Sequence, residues 1–158
     1  MAGKMKLGAK KPKENMSFVI SVSLEKGCYR HIQIAQEATL EELSSVILQA
    51  FAFEDDHMHA FFMDNEAWSD ADCYYMDPMD EDEDDNERHT SDFMLRQVMQ
   101  VGSKFKYVFD FGDNWQFQCK VLSEKIWDAP TPGDAQLEVY AMIVREVGEA
   151  PAQYGREE

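Results

Sequence analysis

Residues 105–122 read FKYVFDFGDNWQFQCKVL, and the apolar side chains of this stretch fall at alternate positions. They form two sets on either side of a Gly-Asp-Asn tripeptide: Phe105, Tyr107, Phe109 and Phe111 before it, and Trp115, Phe117, Cys119 and Val121 after it. Side chains at alternate positions of a strand lie on the same face of a sheet. The stretch therefore predicts a β-hairpin in which each strand has one apolar face.

The length of the connecting loop decides which residues of this hairpin lie opposite each other. A two-residue loop would place the two apolar sets on opposite faces and expose several large side chains, each at a cost of about 2 kcal/mol. A three-residue loop, Gly112–Asn114, instead pairs Phe111 with Trp115 and Phe109 with Phe117 on one face. We therefore expect the three-residue loop.

Two carboxylates flank the predicted turn. In this register Asp110 points away from the aromatic side chains, opposite Gln116, while Asp113 lies on the loop beside Asn114, which takes a left-handed conformation. The two aspartates could bind a ligand. Alternatively, Asp113 bonds turn amides and Asp110 is solvated or paired with a lysine. We favour this structural interpretation, but both remain open at the level of sequence.

Asp110-Phe111-Gly112 is also the tripeptide that holds magnesium in protein kinases. The chain of 158 residues is too short for a protein kinase, and it lacks the Gly-rich loop, the strand lysine and the His-Arg-Asp catalytic loop. The match to the kinase motif is therefore a coincidence.

Charge is distributed unevenly along the chain. The formal net charge is −16, yet residues 1–15 contain five lysines and a single glutamate. We expect residues 1–15 to form a basic, disordered tail and residues 77–89 an acidic, mobile loop, within a chain whose single domain spans 16–158. An acidic body repels phosphate backbones, so we expect nucleic acid to be contacted only through the Lys-rich tail. A protein partner is compatible with this composition.

The three cysteines, Cys28, Cys73 and Cys119, lack paired C-x-x-C spacing. This pattern predicts reduced core thiols rather than a disulfide framework or a zinc knuckle. No run of about 18 apolar residues occurs, and no apolar segment follows the N-terminal lysines. We expect a cytoplasmic protein without a membrane partner, and the sequence gives no indication of its oligomeric state.

The remaining elements are predicted from periodicity and capping signals. Residues 17–35 alternate as a hairpin, and Thr39 with Glu42 forms a capping box at the start of an amphipathic helix over about 39–52. Further strands are predicted at 57–63, 66–76 and 137–144, and a short second helix at about 91–100. The expected fold class is α+β. It has a mainly antiparallel sheet with both helices packed on one face, and a hairpin–helix start that resembles a ubiquitin-like arrangement.

His57 and His59 lie two positions apart on the predicted third strand. They would share a face with their Cα atoms about 6.6 Å apart, close enough to bind one metal ion. With Asp110, Asp113 or Glu149 nearby, a mixed imidazole and carboxylate site for zinc or manganese is conceivable. Because H-x-H pairs are common by chance, we expect no cofactor and keep a divalent metal as the alternative.

The motif F-x-Y-x-F-D-F-G-D-N-W resembles the signature of the plasmid pRiA open-reading-frame-three-like family, which includes the insertion-element passenger (TnpR-like) proteins. Other stretches agree in order, through His57-x-His59-x-Phe61 to the terminal VGEAPAQYG, so the resemblance covers about residues 16–155. It implies a compact α+β domain from plasmid and mobile-element contexts, with no established activity. The positions that match the family motif are candidate binding residues: Asp110, Gly112, Asp113, Trp115 and Glu149.

These observations together predict a non-catalytic binding or interaction module associated with plasmids or mobile elements. No nucleophile, base and orienting group occur in a recognisable spacing, so no catalytic residue is assigned and an enzyme is not favoured. The alternative function is a metal-dependent hydrolase or nuclease that uses a His/Asp site.

Overall fold

The computed structural model describes residues 16–76, 87–127 and 135–154. The predicted basic tail at 1–15 and most of the predicted acidic loop at 77–89 lie outside these ranges, so both stay predictions. Within the described ranges, no helix combines the length and the apolar composition needed to cross a membrane.

The described residues form one antiparallel sheet of eight strands, in the order β4-β3-β5-β6-β1-β2-β8-β7. The strands are β1 Met16–Glu25, β2 Cys28–Ala35, β3 His59–Phe62, β4 Cys73–Tyr75, β5 Lys104–Phe109, β6 Trp115–Ile126, β7 Ala135–Glu138 and β8 Ala141–Val147. Two helices, α1 Leu40–Ala50 and α2 Leu95–Val98, and a single 3-10 turn, Thr90–Asp92, complete the architecture of these ranges.

The opening hairpin and the first helix form where the sequence predicts them. Strands β1 and β2 pair with Ile20 opposite Ile32. Helix α1 begins with the expected capping box, in which the Thr39 hydroxyl accepts from the Glu42 amide and the Glu42 carboxylate accepts from the Thr39 amide. The capping prediction is confirmed. The box forms because these local hydrogen bonds satisfy amides that the first helical turn leaves without partners.

The expected fold class is wrong, because the sheet dominates the molecule and the helices are minor. Helix α1 has 11 residues and α2 only 4, in place of a long helix and a second helix over 91–100. The second helix is short because tertiary bonds occupy the backbone that precedes it. The Phe93 carbonyl accepts from the Leu40 amide, and the Leu95 amide donates to the Ala38 carbonyl.

The C-terminal part of the sheet also differs from the expected single strand at 137–144. The segment is divided into β7 and β8, which form a hairpin of their own around Val139 and Tyr140. The Tyr140 carbonyl at this turn accepts from the Ala35 amide, which binds the turn to the end of β2. Residues 139–144 are continuously apolar, and this pattern does not indicate the break.

The two faces of the sheet are covered to different extents. We call the side that packs against α1 the inner face, and it carries the main core. Members from the sheet include Phe18, Ile20, Ile32, Phe61, Phe105, Tyr107, Phe109 and Phe117, and members from α1 include Leu40, Leu43, Val46 and Ile47. The outer face has a small second core of Ala60, Phe62 and Val108, with Phe111 and Tyr75 packed against it.

Arg30 is a buried cation that joins α1 to the end of β8. Its side chain is on the inner face, and the residue is 2% exposed. The guanidinium donates to the carbonyls of Ala50, Val147 and Gly148 at 3.0–3.1 Å and lies 4.7 Å from the ring centroid of Phe51. The chain beyond β8 therefore leaves the sheet from a fixed point beside the end of α1.

Gly148 and Gly27 both have positive φ, +84° and +82°, but only Gly148 is tightly packed. A Cβ on Gly148 would lie 2.1 Å from the Gly27 carbonyl oxygen, whereas a Cβ on Gly27 would meet no atom within 4 Å. We predict that Gly27→Ala lowers the free energy of unfolding by about 1–2 kcal/mol, the cost of the left-handed backbone alone.

For Gly148→Ala we predict a loss larger by a further ~1–3 kcal/mol, because the backbone must also move to relieve the overlap. Denaturant unfolding of both variants measures the difference directly. Equal losses for the two variants would contradict the close approach of β8 to the opening hairpin.

Candidate functional site

The hairpin at 105–122 exists, but the predicted register is wrong by two residues. Phe109 lies opposite Trp115, and Tyr107 lies opposite Phe117. The loop is therefore Asp110–Asn114 and not Gly112–Asn114. A shift of two residues leaves every residue of β5 and β6 on its expected face. The predicted pairing of Phe111 with Trp115 on that face is wrong, because Trp115 lies opposite Phe109 instead.

Left-handed residues at both ends of this loop explain the longer connection. Asp110 has φ +64° and Asn114 has φ +55°, and the Asn114 amide donates to the Asp110 carbonyl. The left-handed conformation expected at Asn114 is confirmed. The same conformation at Asp110 ends the strand before Phe111, which turns to the outer face and packs edge-on against Trp68 at 5.0 Å between ring centroids.

Asp110 is buried, whereas the favoured interpretation of the sequence had it solvated or paired with a lysine. The residue is only 7% exposed. Its amide donates to the Met58 carbonyl at 2.8 Å, and its Oδ1 accepts a long bond of 3.3 Å from the Asp113 amide. Its Oδ2 lies 3.5 Å from His57 Nε2. These contacts hold the Asp110 carboxylate beside His57.

His57 is the centre of a polar group that we call the His57 cluster: Asp56, His57, Asp110 and Tyr154. Its Nε2 lies 2.9 Å from the Tyr154 hydroxyl, which in turn lies 2.7 Å from Asp56 Oδ2. Because the hydroxyl has a single proton and donates it to Asp56, it accepts from the Nε2–H of His57. Two carboxylates, from Asp56 and Asp110, therefore converge on one imidazole nitrogen, at 3.6 and 3.5 Å.

Gln153 holds the C-terminal segment in place beside the cluster. Its side-chain oxygen accepts from the Glu54 amide at 2.7 Å, and its amide nitrogen donates to the Glu54 carbonyl at 3.2 Å. This two-bond contact pairs the Gln153 side chain with backbone groups close to Asp56. The segment that precedes β3, the hairpin loop and the C-terminal segment therefore meet at one end of the sheet.

The other motif residues have separate positions around this end. Trp115 packs edge-on against Phe53, with ring centroids 4.8 Å apart, and supports the loop from the inner face. Gly112 and Asp113 are exposed on the loop. A Cβ on Gly112 would lie at an ordinary 3.6 Å from Asp110 Oδ1, so neither packing nor backbone conformation requires glycine there.

Glu149 is not brought to the His57 cluster. The residue is exposed. Its backbone carbonyl lies 3.5 Å from Cys28 Sγ near the opening hairpin, and none of its described side-chain contacts reaches the cluster. Its place in the predicted site is therefore not supported by the geometry.

The two histidines proposed as metal ligands do not share a strand, because β3 begins at His59. The His57 side chain is 41% exposed on the preceding loop. His59 is buried on the inner face, where its Nε2 lies 2.9 Å from the Thr90 hydroxyl. No group of three or more His, Cys, Asp or Glu residues within 16–76, 87–127 and 135–154 is arranged to hold a metal ion.

Several pKa shifts bear on the chemistry of these side chains. The bond to Asp56 raises the pKa of Tyr154 to about 12, so this hydroxyl donates a proton at neutral pH and does not act as a base. Burial lowers the pKa of His59 to about 4. Burial also raises the pKa of the Cys73 thiol and, well above the usual range, that of Cys119. Neither of these thiols is an activated nucleophile.

The sequence reasoning missed Asp56, Gln153 and Tyr154. Tyr154 and Asp56 are 98 positions apart, and no local pattern connects them. The available signals were the position of Asp56 directly before His57 and the occurrence of Gln153-Tyr154 in the quoted VGEAPAQYG stretch.

Three of the stretches that carried the resemblance thus converge in space: the hairpin loop, the stretch beginning at His57 and the C-terminal VGEAPAQYG. The model of the family described as plasmid pRiA4b ORF-3-like protein matches residues 17–152, nearly the whole of the described chain. This chain belongs to the plasmid pRiA4b ORF-3-like family.

Among solved structures, this pRiA4b ORF-3-like chain is similar to the protein of unknown function MM3350 from Methanosarcina mazei Go1. The TM-score is 0.65 at 22% sequence identity, and the match covers 85% of this chain and 71% of that one. At this identity the likeness concerns the fold. No curated protein matches the chain.

The buried His59 predicts an acid-sensitive stability. The unfolded chain takes up a proton at this side chain near pH 6.5, whereas the folded protein does so only near pH 4. The contribution of neutral His59 to the free energy of unfolding is therefore complete above pH 6.5. It is lost as pH falls towards 4, by an amount on the order of 3 kcal/mol. The measurement is the pH dependence of unfolding free energy for the wild type and for His59→Gln.

We expect His59→Gln to flatten this part of the curve. Titrating carboxylates contribute to both curves, so the difference between the two curves is the informative quantity. Parallel curves for wild type and His59→Gln would contradict the assignment.

The contact between Tyr154 and Asp56 predicts an unusually late phenol titration. Subtracting the ultraviolet titration of Tyr154→Phe from that of the wild type should isolate one phenol that ionises near pH 12. Asp56→Asn should move this step back towards the ordinary value of 10, because the carboxylate holds the proton on the phenol. An isolated step already at 10 in the wild type, with the fold intact by circular dichroism, would show that the contact is absent in solution.

Proposed function

We propose that this pRiA4b ORF-3-like domain is a non-catalytic binding module that recognises a basic segment of a protein partner through the end of the sheet that carries the His57 cluster. The observation that carries the proposal is the convergence of fixed carboxylates there. Asp110 and Asp56 point at one imidazole nitrogen, and Asp113 lies exposed on the adjoining loop. Ammonium and guanidinium groups are the donors that such an arrangement accepts.

The surrounding charge supports a cationic partner. Glu54 and Asp55 directly precede Asp56 in the chain and add two acidic residues next to the cluster. Burial, and then the neighbouring Asp56, raise the pKa of Asp55, as expected where carboxylates are crowded. A negative end on a protein of net charge −16 steers positively charged partners towards it and makes the association sensitive to salt.

A binding role also agrees better than catalysis with the ionisation of the side chains. The Tyr154 hydroxyl keeps its proton at neutral pH, and its oxygen already accepts from His57. The imidazole has no serine or cysteine among its described polar contacts that it could activate as a nucleophile. The alternative of a metal-dependent hydrolase or nuclease finds no supporting geometry, because His57 and His59 lie in different surroundings.

We place this module in the cytoplasm of a plasmid- or mobile-element-bearing cell. The family description supports the plasmid context. All three cysteines are free, and Cys28 and Cys119 are buried, which agrees with a reducing compartment.

The test is the binding of a fluorescently labelled Arg- and Lys-rich peptide, followed by anisotropy at low and at physiological salt. A peptide with glutamine in place of each cation is the control ligand. We predict that the basic peptide binds and that Asp56→Asn with Asp113→Asn weakens binding about fivefold, as expected for two exposed ion pairs worth ~0.5 kcal/mol each. Asp70→Asn, at an exposed aspartate of another loop, should have no effect.

Equal binding of the neutral peptide, or equal losses from Asp70→Asn and from the double variant, would rule out recognition at the His57 cluster. Thermal melting of each variant checks that the fold is intact.

A further inference from the structure

On the outer face of the sheet, a row of paired residues crosses five strands and is basic at four of its five positions. Lys104 of β5 pairs with Lys120 of β6, Lys120 pairs with Ser21 of β1, Ser21 pairs with His31 of β2, and His31 pairs with Arg145 of β8. We call these residues the basic row: Lys104, Lys120, Ser21, His31 and Arg145. At ~4.8 Å between strands, the row is about 19 Å long.

A second row beside it is polar and contains an aromatic side chain. It consists of Lys106, Gln118, Ser23, Tyr29 and Val147, each opposite the next on neighbouring strands. Neither row contains an aspartate or a glutamate, although the chain has 31 acidic residues. Lys104, Lys120 and Arg145 are exposed, and Tyr29, His31 and Lys106 are partly exposed.

The pairing within the basic row is unfavourable for the isolated fold. Lys104 lies directly opposite Lys120, and like charges opposite each other destabilise a sheet. Arg145 lies directly opposite His31, and burial together with this cation lowers the pKa of His31. A chain rich in carboxylates could have placed one opposite either cation. The pairing therefore favours an anionic ligand as the source of the negative charge that compensates the row.

Planar side chains stand at the Arg145 end of the two rows. The rings of Tyr29 and His31 have centroids 5.2 Å apart and are inclined by 32°. The Arg145 guanidinium lies 6.0 Å from the Tyr29 ring centroid, and its Nε donates to the Tyr29 hydroxyl at 3.3 Å. Partly exposed rings beside a line of cations are a combination on which unpaired bases can stack while their phosphates are neutralised.

We propose that the basic row and Tyr29 form a binding surface for single-stranded nucleic acid. Phosphates lie along Lys104, Lys120 and Arg145, and bases stack at Tyr29 and His31. A duplex fits less well, because the flat face has no helix to enter a groove and the acidic remainder of the molecule repels a second charged strand. This site is on a different surface from the His57 cluster, and the proposal differs from the expectation that only the N-terminal tail contacts nucleic acid.

The test uses the full-length chain and fluorescently labelled oligothymidylate and oligouridylate, with anisotropy measured over a series of salt concentrations. Lys104→Gln with Lys120→Gln should weaken binding and reduce the slope of log K against log salt by about 1.4, since each phosphate contact on a single strand contributes about 0.7. Tyr29→Leu should weaken binding about tenfold and leave the slope unchanged, because stacking does not release ions.

Two further full-length variants separate the sheet from other cations. Lys26→Gln with Arg96→Gln makes the same change in net charge at residues outside the two rows and should retain more affinity and a steeper slope than the variant of the basic row. Glutamine at Lys4, Lys6, Lys10, Lys11 and Lys13 removes the charge of the tail and should leave the effects of the sheet variants intact.

The proposal fails if neither oligonucleotide binds, if neutralising the tail abolishes binding while the sheet variants do not alter it, or if the two double variants lose affinity equally. It also fails in favour of an acidic protein ligand if polyglutamate of equal charge competes as well as the oligonucleotides. Binding of the basic peptide at the His57 cluster should be unchanged in every sheet variant, so the two proposals fail independently.

Discussion

The hydrogen bonds of the buried Arg30 hold the helix, the sheet and the C-terminal segment of this domain together. The position of the Arg30 guanidinium is fixed, because this group is nearly inaccessible to solvent and donates hydrogen bonds to the carbonyls of Ala50, Val147 and Gly148. One of these carbonyls is at the negative end of α1, where a cation is favoured. The others fix the end of β8, and the chain that leaves this point supplies Gln153 and Tyr154 to the candidate site. A buried charge thus couples the helix, the sheet and the His57 cluster.

The sequence predicts the face of the sheet on which a side chain lies better than it predicts the register of two paired strands. The hairpin around Asp110 shows why. Alternation of apolar residues assigns Phe109 and Trp115 to the inner face, where they lie. It cannot distinguish registers that differ by two residues, because both keep every strand residue on the same face. The choice depends on a left-handed conformation at Asp110, and neither hydrophobic pattern nor glycine content signals it. The balance of sheet and helix was missed for a related reason, since tertiary bonds to Phe93 and Leu95 shorten α2.

The candidate site was predicted in part, for reasons that concern distance along the chain. Motif residues close to the loop, Asp110 and Asp113, could be named from the sequence, and both lie at the acidic end of the sheet. Tyr154 could not be assigned a role, because its partner Asp56 is 98 positions away. The spacing of His57 and His59 was misleading, since it indicates a shared face only if both residues are on one strand. A start of β3 at His59 removes that condition.

Charge shows most clearly what strand pairing adds to composition. At long range a protein with a net charge of −16 behaves as an anion. A ligand on the sheet interacts instead with the individual side chains of neighbouring strands, which are ~5 Å apart. The order of the strands places Lys104, Lys120 and Arg145 side by side, although they are distributed along the sequence. Carboxylates collect instead at the end of the sheet, around Asp56 and Asp110. At physiological ionic strength, salt screens exposed charges beyond about 8 Å, so the basic row and the acidic end act as separate surfaces. The two proposed surfaces, one for a cationic and one for an anionic ligand, are therefore a property of the strand order and not of the overall charge.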